Sequence, residues 1–136
     1  MERNLKFSSE EKKLLRAINN FSTARRVKLY LVGGFLRDRI IGRNKENPDF
    51  DFAIKKNSIN FCRPLAKKLN CGFVVLDKLH GSCRLVKRYK NKTYTFDFTD
   101  FRGKDLSDDL KHRDFTINAI ALGLEEGLNK EDFSGL

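Results

Sequence analysis

Leu29-Tyr30-Leu31-Val32-Gly33-Gly34-Phe35-Leu36-Arg37-Asp38, answered downstream by Pro48-Asp49-Phe50-Asp51-Phe52, decides how the rest of the chain reads. An apolar run of strand character ends at two glycines, and a short amphipathic segment carrying Arg37 follows. Val27 to Val32 is apolar enough for a strand buried on both faces. Phe35 to Ile41 reads as a short helix, with Gly42 as its C′ stop. Glycines where a strand gives way to a helix let backbone amides approach phosphate. In Phe50-Asp51-Phe52-Ala53-Ile54 the alternation puts Phe50, Phe52 and Ile54 on one face. Asp51 falls on the other, with Asp49 two residues back on the same side. Carboxylates at i and i+2 suit divalent cations. The two stretches together point to a site for a metal-bound nucleoside triphosphate.

Upstream, Ser8-Ser9-Glu10-Glu11 is a capping-box pattern, and Leu14, Leu15, Ile18 and Phe21 follow at helical spacing. The spacing predicts an amphipathic helix to about Asn20, with Lys12, Lys13 and Arg16 on its polar face. Downstream, Phe61, Leu65 and Leu69 predict a second helix, which either starts near Cys62 or kinks at Pro64. Phe73 to Leu76 and Cys83 to Val86 read as strands, and Tyr89 to Lys92 as a hairpin turn into Thr93-Tyr94-Thr95-Phe96-Asp97-Phe98. That last strand repeats the earlier device: Tyr94, Phe96 and Phe98 face one way, Thr95 and Asp97 the other. Asp114 is a good N-cap for a helix from Phe115, setting Arg113 at its positive end and Asn118 about one turn in. Strands and helices alternate and a meander follows, so the fold class is α+β, with a mixed sheet of about five strands and flanking helices.

The chain has 136 residues, the size of one domain. A chain of that length buries roughly two-thirds of its unfolded surface, so it needs no disulfide staple. Twelve Phe and no Trp make phenylalanine the main aromatic core volume. Lys plus Arg is 28 against 18 acidic residues, a formal net charge of +10 that favours polyanionic partners, nucleic acid first. Cys62, Cys71 and Cys83 are odd in number and too widely spaced for a metal pair, which fits reduced thiols in the cytoplasm. The amino terminus has no apolar leader region, and no run reaches the length of a membrane span, so no membrane partner is expected.

Taken singly, these motifs have ordinary explanations: a solvated turn for Asp49-Phe50-Asp51, a bend for Gly33-Gly34, a helix cap for Arg113-Asp114. The conjunction is more pointed. Asp49, Asp51 and Asp97 lie on strand faces opposite Phe-rich faces, and would converge if their strands were neighbours. Three adjacent carboxylates repel unless cations neutralise them. Two Mg²⁺ ions ~3.5–4 Å apart would do so and set up an in-line displacement. Gly33 and Gly34 would admit phosphate, with Arg37 as a charge clamp.

Three blocks in order, LVGGFLRDRIIG (31–42), DFDFA (49–53) and DFTDFRGKDLSDDLKHRDFTINAIAL (97–122), resemble the head domain of class II tRNA nucleotidyltransferases and bacterial poly(A) polymerases. These are template-independent members of the polymerase-β-like nucleotidyltransferase superfamily. The resemblance implies transfer of a nucleoside monophosphate from CTP or ATP to an RNA 3′-hydroxyl, the tRNA 3′ end foremost. It implies Asp49, Asp51 and Asp97 as catalytic metal ligands, with Mg²⁺ as cofactor. Gly33, Gly34, Arg37, Arg113, Asp114 and Asn118 match nucleotide-binding positions. His112 replaces the first arginine of that last block, which puts one phosphate contact in doubt.

The resemblance divides the chain into an N-terminal helix and connection (1–26), a catalytic core (27–124) and the start of a following segment (125–136). The family continues into neck, body and tail regions, so a head-only fragment, or one part of a split or minimal enzyme served by a separate chain, is expected. Base selectivity is then expected to be weak. Two other readings stay open from the residues: a minimal nucleotidyltransferase acting on a protein or small molecule, and a catalytically idle RNA- or nucleotide-binding module.

Overall fold

The computed structural model describes residues 7–32, 47–102 and 121–123. The capping box forms as the sequence predicts. Ser8 Oγ accepts the Glu11 amide at 3.1 Å, and Glu11 Oε1 accepts the Ser8 amide at 2.8 Å. The helix so started, α1 (Ser9–Ala24), runs one turn beyond the expected end and buries Leu15, Ile18 and Phe21.

Strand β1 (Tyr30–Val32) is shorter than its apolar run, because only these residues pair. It lies antiparallel to β2 (Asp49–Ile54), in which Phe50, Phe52 and Ile54 are buried while Asp49 is exposed and Asp51 half-buried. Helix α2 (Ser58–Leu69) settles the ambiguity at Pro64 by starting earlier than Cys62, so the proline sits inside it. A proline there lacks an amide for the turn behind it. The buried row Phe61, Cys62, Leu65 and Ala66 holds the helix against the sheet regardless.

Strands β3 (Gly72–Asp77), β4 (Ser82–Tyr89) and β5 (Lys92–Asp100) form the expected antiparallel meander. The β4–β5 turn consists of Lys90 and Asn91, both at positive φ (49° and 65°). That pair of angles belongs to a two-residue hairpin turn whose twist matches its strands. A short β6 (Ala121–Gly123) pairs antiparallel with β1, so the sheet has six strands among the described residues, in the order β3-β4-β5-β2-β1-β6. The sequence reading anticipated about five; three residues of no distinctive pattern make the sixth.

The β2–β5 junction is parallel and positions everything else. Its register sets Phe50 beside Phe96 and Phe52 beside Phe98, and the rings stack with centroids 5.2 and 4.8 Å apart. Stacked rings of this kind contribute roughly 0.5–1.5 kcal/mol beyond their buried area. Phe61 of α2 leans on Phe98, and Phe21 of α1 meets Phe61 edge-on at 5.4 Å. Both helices thus join one core on the same face of the sheet, and the phenylalanine-rich composition is the material of that core.

A long-range cap ties α2 to the sheet. Its N-cap residue, Asn57, is in the left-handed region and offers no side-chain bond to the helix. Asp100, at the end of β5, supplies the acceptor instead, with Oδ1 taking the Ser58 amide at 2.8 Å. The same carboxylate lies over Gly81, whose φ is +60°, so a Cβ at that glycine would collide with it.

Candidate active site

The side of the sheet away from the Phe core collects the acidic residues. Alternation along β2 and β5 turns Asp49, Asp51, Thr95 and Asp97 to this side. Because the strands are parallel neighbours, Asp51 lies directly beside Asp97, and Asp49 beside Thr95. Val32, the last residue before Gly33, is the cross-strand partner of Asp51 on the other flank. One row of the sheet therefore holds the end of β1, Asp51 and Asp97.

Two bonds extend the junction beyond the strands. The Thr95 amide donates to the Pro48 carbonyl at 3.0 Å, and the Thr93 amide to Asn47 Oδ1 at 3.1 Å. They fix the segment that delivers Asp49.

On β4 the row continues to Arg84, which sequence reasoning missed. Its guanidinium grips Asp97 with both nitrogens of one edge, Nε to Oδ1 at 2.7 Å and Nη2 to Oδ2 at 2.9 Å. The Asp97 hydrogen bonds, and beyond them the charges of Asp97, Asp49 and Asp51, raise the Arg84 pKa above its ordinary value. Alternation alone sets Arg84 opposite the buried Cys83 and Leu85, on the acidic side. Its partner could be recognised only from the β4–β5 register.

The donor set suits a hard cation at Asp49 and Asp51, which offer carboxylate oxygens from one side of one strand. Both oxygens of Asp97 are engaged by Arg84. Among the described residues, no three His, Cys, Asp or Glu side chains form a ready metal-holding cluster. Cys62 and Cys83 are buried in the core, on the opposite side of the sheet from these carboxylates, and burial raises the Cys62 thiol pKa far above its ordinary value. The predicted residues Gly33, Gly34, Arg37, Arg113, Asp114 and Asn118, with the helices expected from Phe35 and Phe115, lie outside the described residues.

A cavity of about 520 Å³ opens at the other end of β2, beyond Ile54. Tyr30 and Phe101, with ring centroids 6.0 Å apart, contribute aromatic surface to it. Arg25, Arg26, Lys28, Lys55 and Lys56 line it as well, and Lys28 Nζ stands 5.3 Å from the centre of the Tyr30 ring. Asp49, Asp51 and Asp97 do not line it.

Residues 29–135 match the family model described as the poly A polymerase head domain. A CC-adding tRNA nucleotidyltransferase of a Synechocystis species is 37% identical over 106 residues, covering 78% of this chain and 24% of the relative. A CCA-adding enzyme of Levilactobacillus brevis is 34% identical over 117 residues, covering 79% and 28%. Among solved structures, the Thermotoga maritima CCA-adding enzyme complexed with tRNA superposes with a TM-score of 0.72 at 26% identity, over 91% of this chain and 30% of that one. The chain spans about a quarter of the length of the curated relatives it matches.

Proposed function

The chain belongs to the poly(A) polymerase head-domain family, and from that premise we propose that it is the catalytic head of a template-independent RNA nucleotidyltransferase. It transfers a nucleoside monophosphate from CTP or ATP to an RNA 3′-hydroxyl, with the tRNA 3′ end as the acceptor. The observation that carries this reading is the register of β2 on β5, which sets Asp51 beside Asp97 with Asp49 on the same side. A relative that adds CC and another that adds CCA support a tRNA acceptor.

In the transfer, the 3′-oxygen bonds to the α-phosphorus of the triphosphate, the bond to the β-phosphate oxygen breaks, and pyrophosphate leaves. Asp49 and Asp51 would hold the divalent cations, Mg²⁺ in this reading, with Asp97 as the third carboxylate. Bound there, such ions neutralise phosphate charge and lower the pKa of the attacking hydroxyl. Asp49 and Asp51 project from a strand anchored by a stacked Phe core, and such rigidity fixes the position of a bound phosphate. Gly33 and Gly34 follow β1 where it adjoins Asp51, which suits backbone contact with the triphosphate. Arg37 and Arg113 are its charge partners, and Asp114 and Asn118 the ribose contacts. The whole chain serves as one head domain, and its net charge of +10 suits an RNA backbone. Three free cysteines, and no helix among the described residues long and apolar enough to cross a membrane, accord with the cytoplasm as the site of action.

The chain incubated with labelled CTP or ATP, Mg²⁺ and tRNA lacking its 3′ end should extend the tRNA. Asp51→Asn should lower extension by about a hundredfold or more, the scale of losing a group that stabilises the transition state. RNA binding without extension would make the chain a binding module. Label on protein would redirect the proposal to a different acceptor.

A further inference from the structure

The acidic side of the sheet carries its own cation. Arg84, Asp97 and Asp51 form one row across β4, β5 and β2, so the charges along it run plus, minus, minus. The guanidinium uses both oxygens of Asp97, the two-point geometry that makes arginine–carboxylate pairs both strong and directional. The Asp97 side chain is 21% exposed and that of Arg84 42%, so the arginine is the half that opens to solvent. An isolated surface pair would contribute little. This one abuts a second carboxylate, and its positive charge also acts on Asp49 and Asp51.

We propose that Arg84 sets the divalent-cation affinity of the acidic side, by keeping Asp97 engaged until a cation bound at Asp49 and Asp51 displaces it. The proposal rests on the reading of Asp49, Asp51 and Asp97 as the cation-holding group. Before a cation arrives, Arg84 relieves the repulsion among the three carboxylates. Once a cation is there, the guanidinium is a like charge beside it and competes for the same oxygens. One side chain therefore stabilises the cation-free chain and weakens cation binding. A purely structural ion pair would do only the first. Arg84 is thus a positioning residue, acting through Asp97.

Mn²⁺ binding, measured without nucleotide by calorimetry and by the loss of free Mn²⁺ signal in electron paramagnetic resonance, tests this. Thermal unfolding in chelator accompanies each protein. Arg84→Gln should bind Mn²⁺ at least about tenfold more tightly, because the half-exposed, partly screened guanidinium no longer repels the cation or occupies the Asp97 oxygens. The same variant should melt at a lower temperature in chelator. Arg84→Lys, which keeps the charge but not the two-point grip, should fall between, and carries the comparison if the Gln variant fails to fold. Asp51→Asn should abolish binding in either background. Unchanged or weaker Mn²⁺ affinity in the Arg84 variants, with Asp51→Asn still abolishing it, would overturn the role of Arg84 and leave the site standing. Binding that ignores Asp51→Asn, or no binding by any of these proteins, would overturn the site reading and this proposal with it.

Discussion

Replacing Asp100 by alanine removes the only cap that α2 receives at its first residue from a side chain in the described structure. Asn57 occupies the N-cap position in the left-handed region without bonding the helix, and the Ser58 amide donates to Asp100 Oδ1 at 2.8 Å. Ser58 is fully buried, so its amide would lose a charged acceptor with no easy access to water. A net hydrogen bond to a charged group contributes about 1.5–3 kcal/mol, and N-cap deletions cost about 0.5–2 kcal/mol. These describe the same bond and do not add, so the structure supports a loss of about 2 kcal/mol. For a chain of this size that lowers the melting temperature by roughly 5–10 °C. Asp100→Asn keeps an acceptor and loses only the charge near the helix start, which costs about 0.3–1 kcal/mol. Urea unfolding followed by circular dichroism gives both values, and hydrogen exchange at the Ser58 amide should accelerate in the alanine variant. An alanine variant within 0.5 kcal/mol of the parent, or an asparagine variant as damaged as the alanine one, would refute the reasoning.

Gly81→Ala should destabilise by about 2–3 kcal/mol, because the new Cβ meets the Asp100 carboxylate at a residue held at positive φ; denaturant titration measures it. Phe96→Ala removes a fully buried ring stacked on Phe50, and should cost about 3–5 kcal/mol in the same assay. In the β3–β4 turn, Asp77 Oδ2 lies 2.6 Å from His80 Nδ1, and the hydrogen bonds from His80 lower the Asp77 pKa from 3.8. The stability this gives is present above the unfolded carboxylate's pKa and is lost as pH falls through the lower folded value. Carboxyl resonances followed by NMR should place the Asp77 midpoint below 3.8, and His80→Ala should move it back up.

Much of this fold is local enough to be read from the chain. The Ser8–Glu11 capping box, the alternation of Phe50 to Ile54 and that of Tyr94 to Phe98 each declare their element within a few residues. Helix α2 was legible in period but not in its start, because the buried row around Phe61 and Leu65 outweighs the proline inside the helix. What local pattern does not carry is partnership. Asp51 and Asp97 could each be assigned to an exposed strand face, while their adjacency depended on a parallel pairing between distant segments. The same is true of Arg84 with Asp97 and of Asp100 with Ser58. In each case a charged side chain finds its counterpart through sheet register or chain return, and no spacing rule spans that distance. Strand β6 is too short to have a period at all.

The parallel junction between β2 and β5 has a kinetic consequence. The meander β3-β4-β5 joins strands that follow one another closely, so its loops close at small entropic cost. Docking β2 against β5 closes a much longer loop that contains α2 and the meander itself, the kind of contact that slows folding. An ensemble with the meander formed and β2 undocked would display most of the helix and strand signal while Asp51 remained far from Asp97. Refolding followed at once by circular dichroism and by a distance probe between β2 and β5 should therefore show the backbone signal recovering before that distance closes.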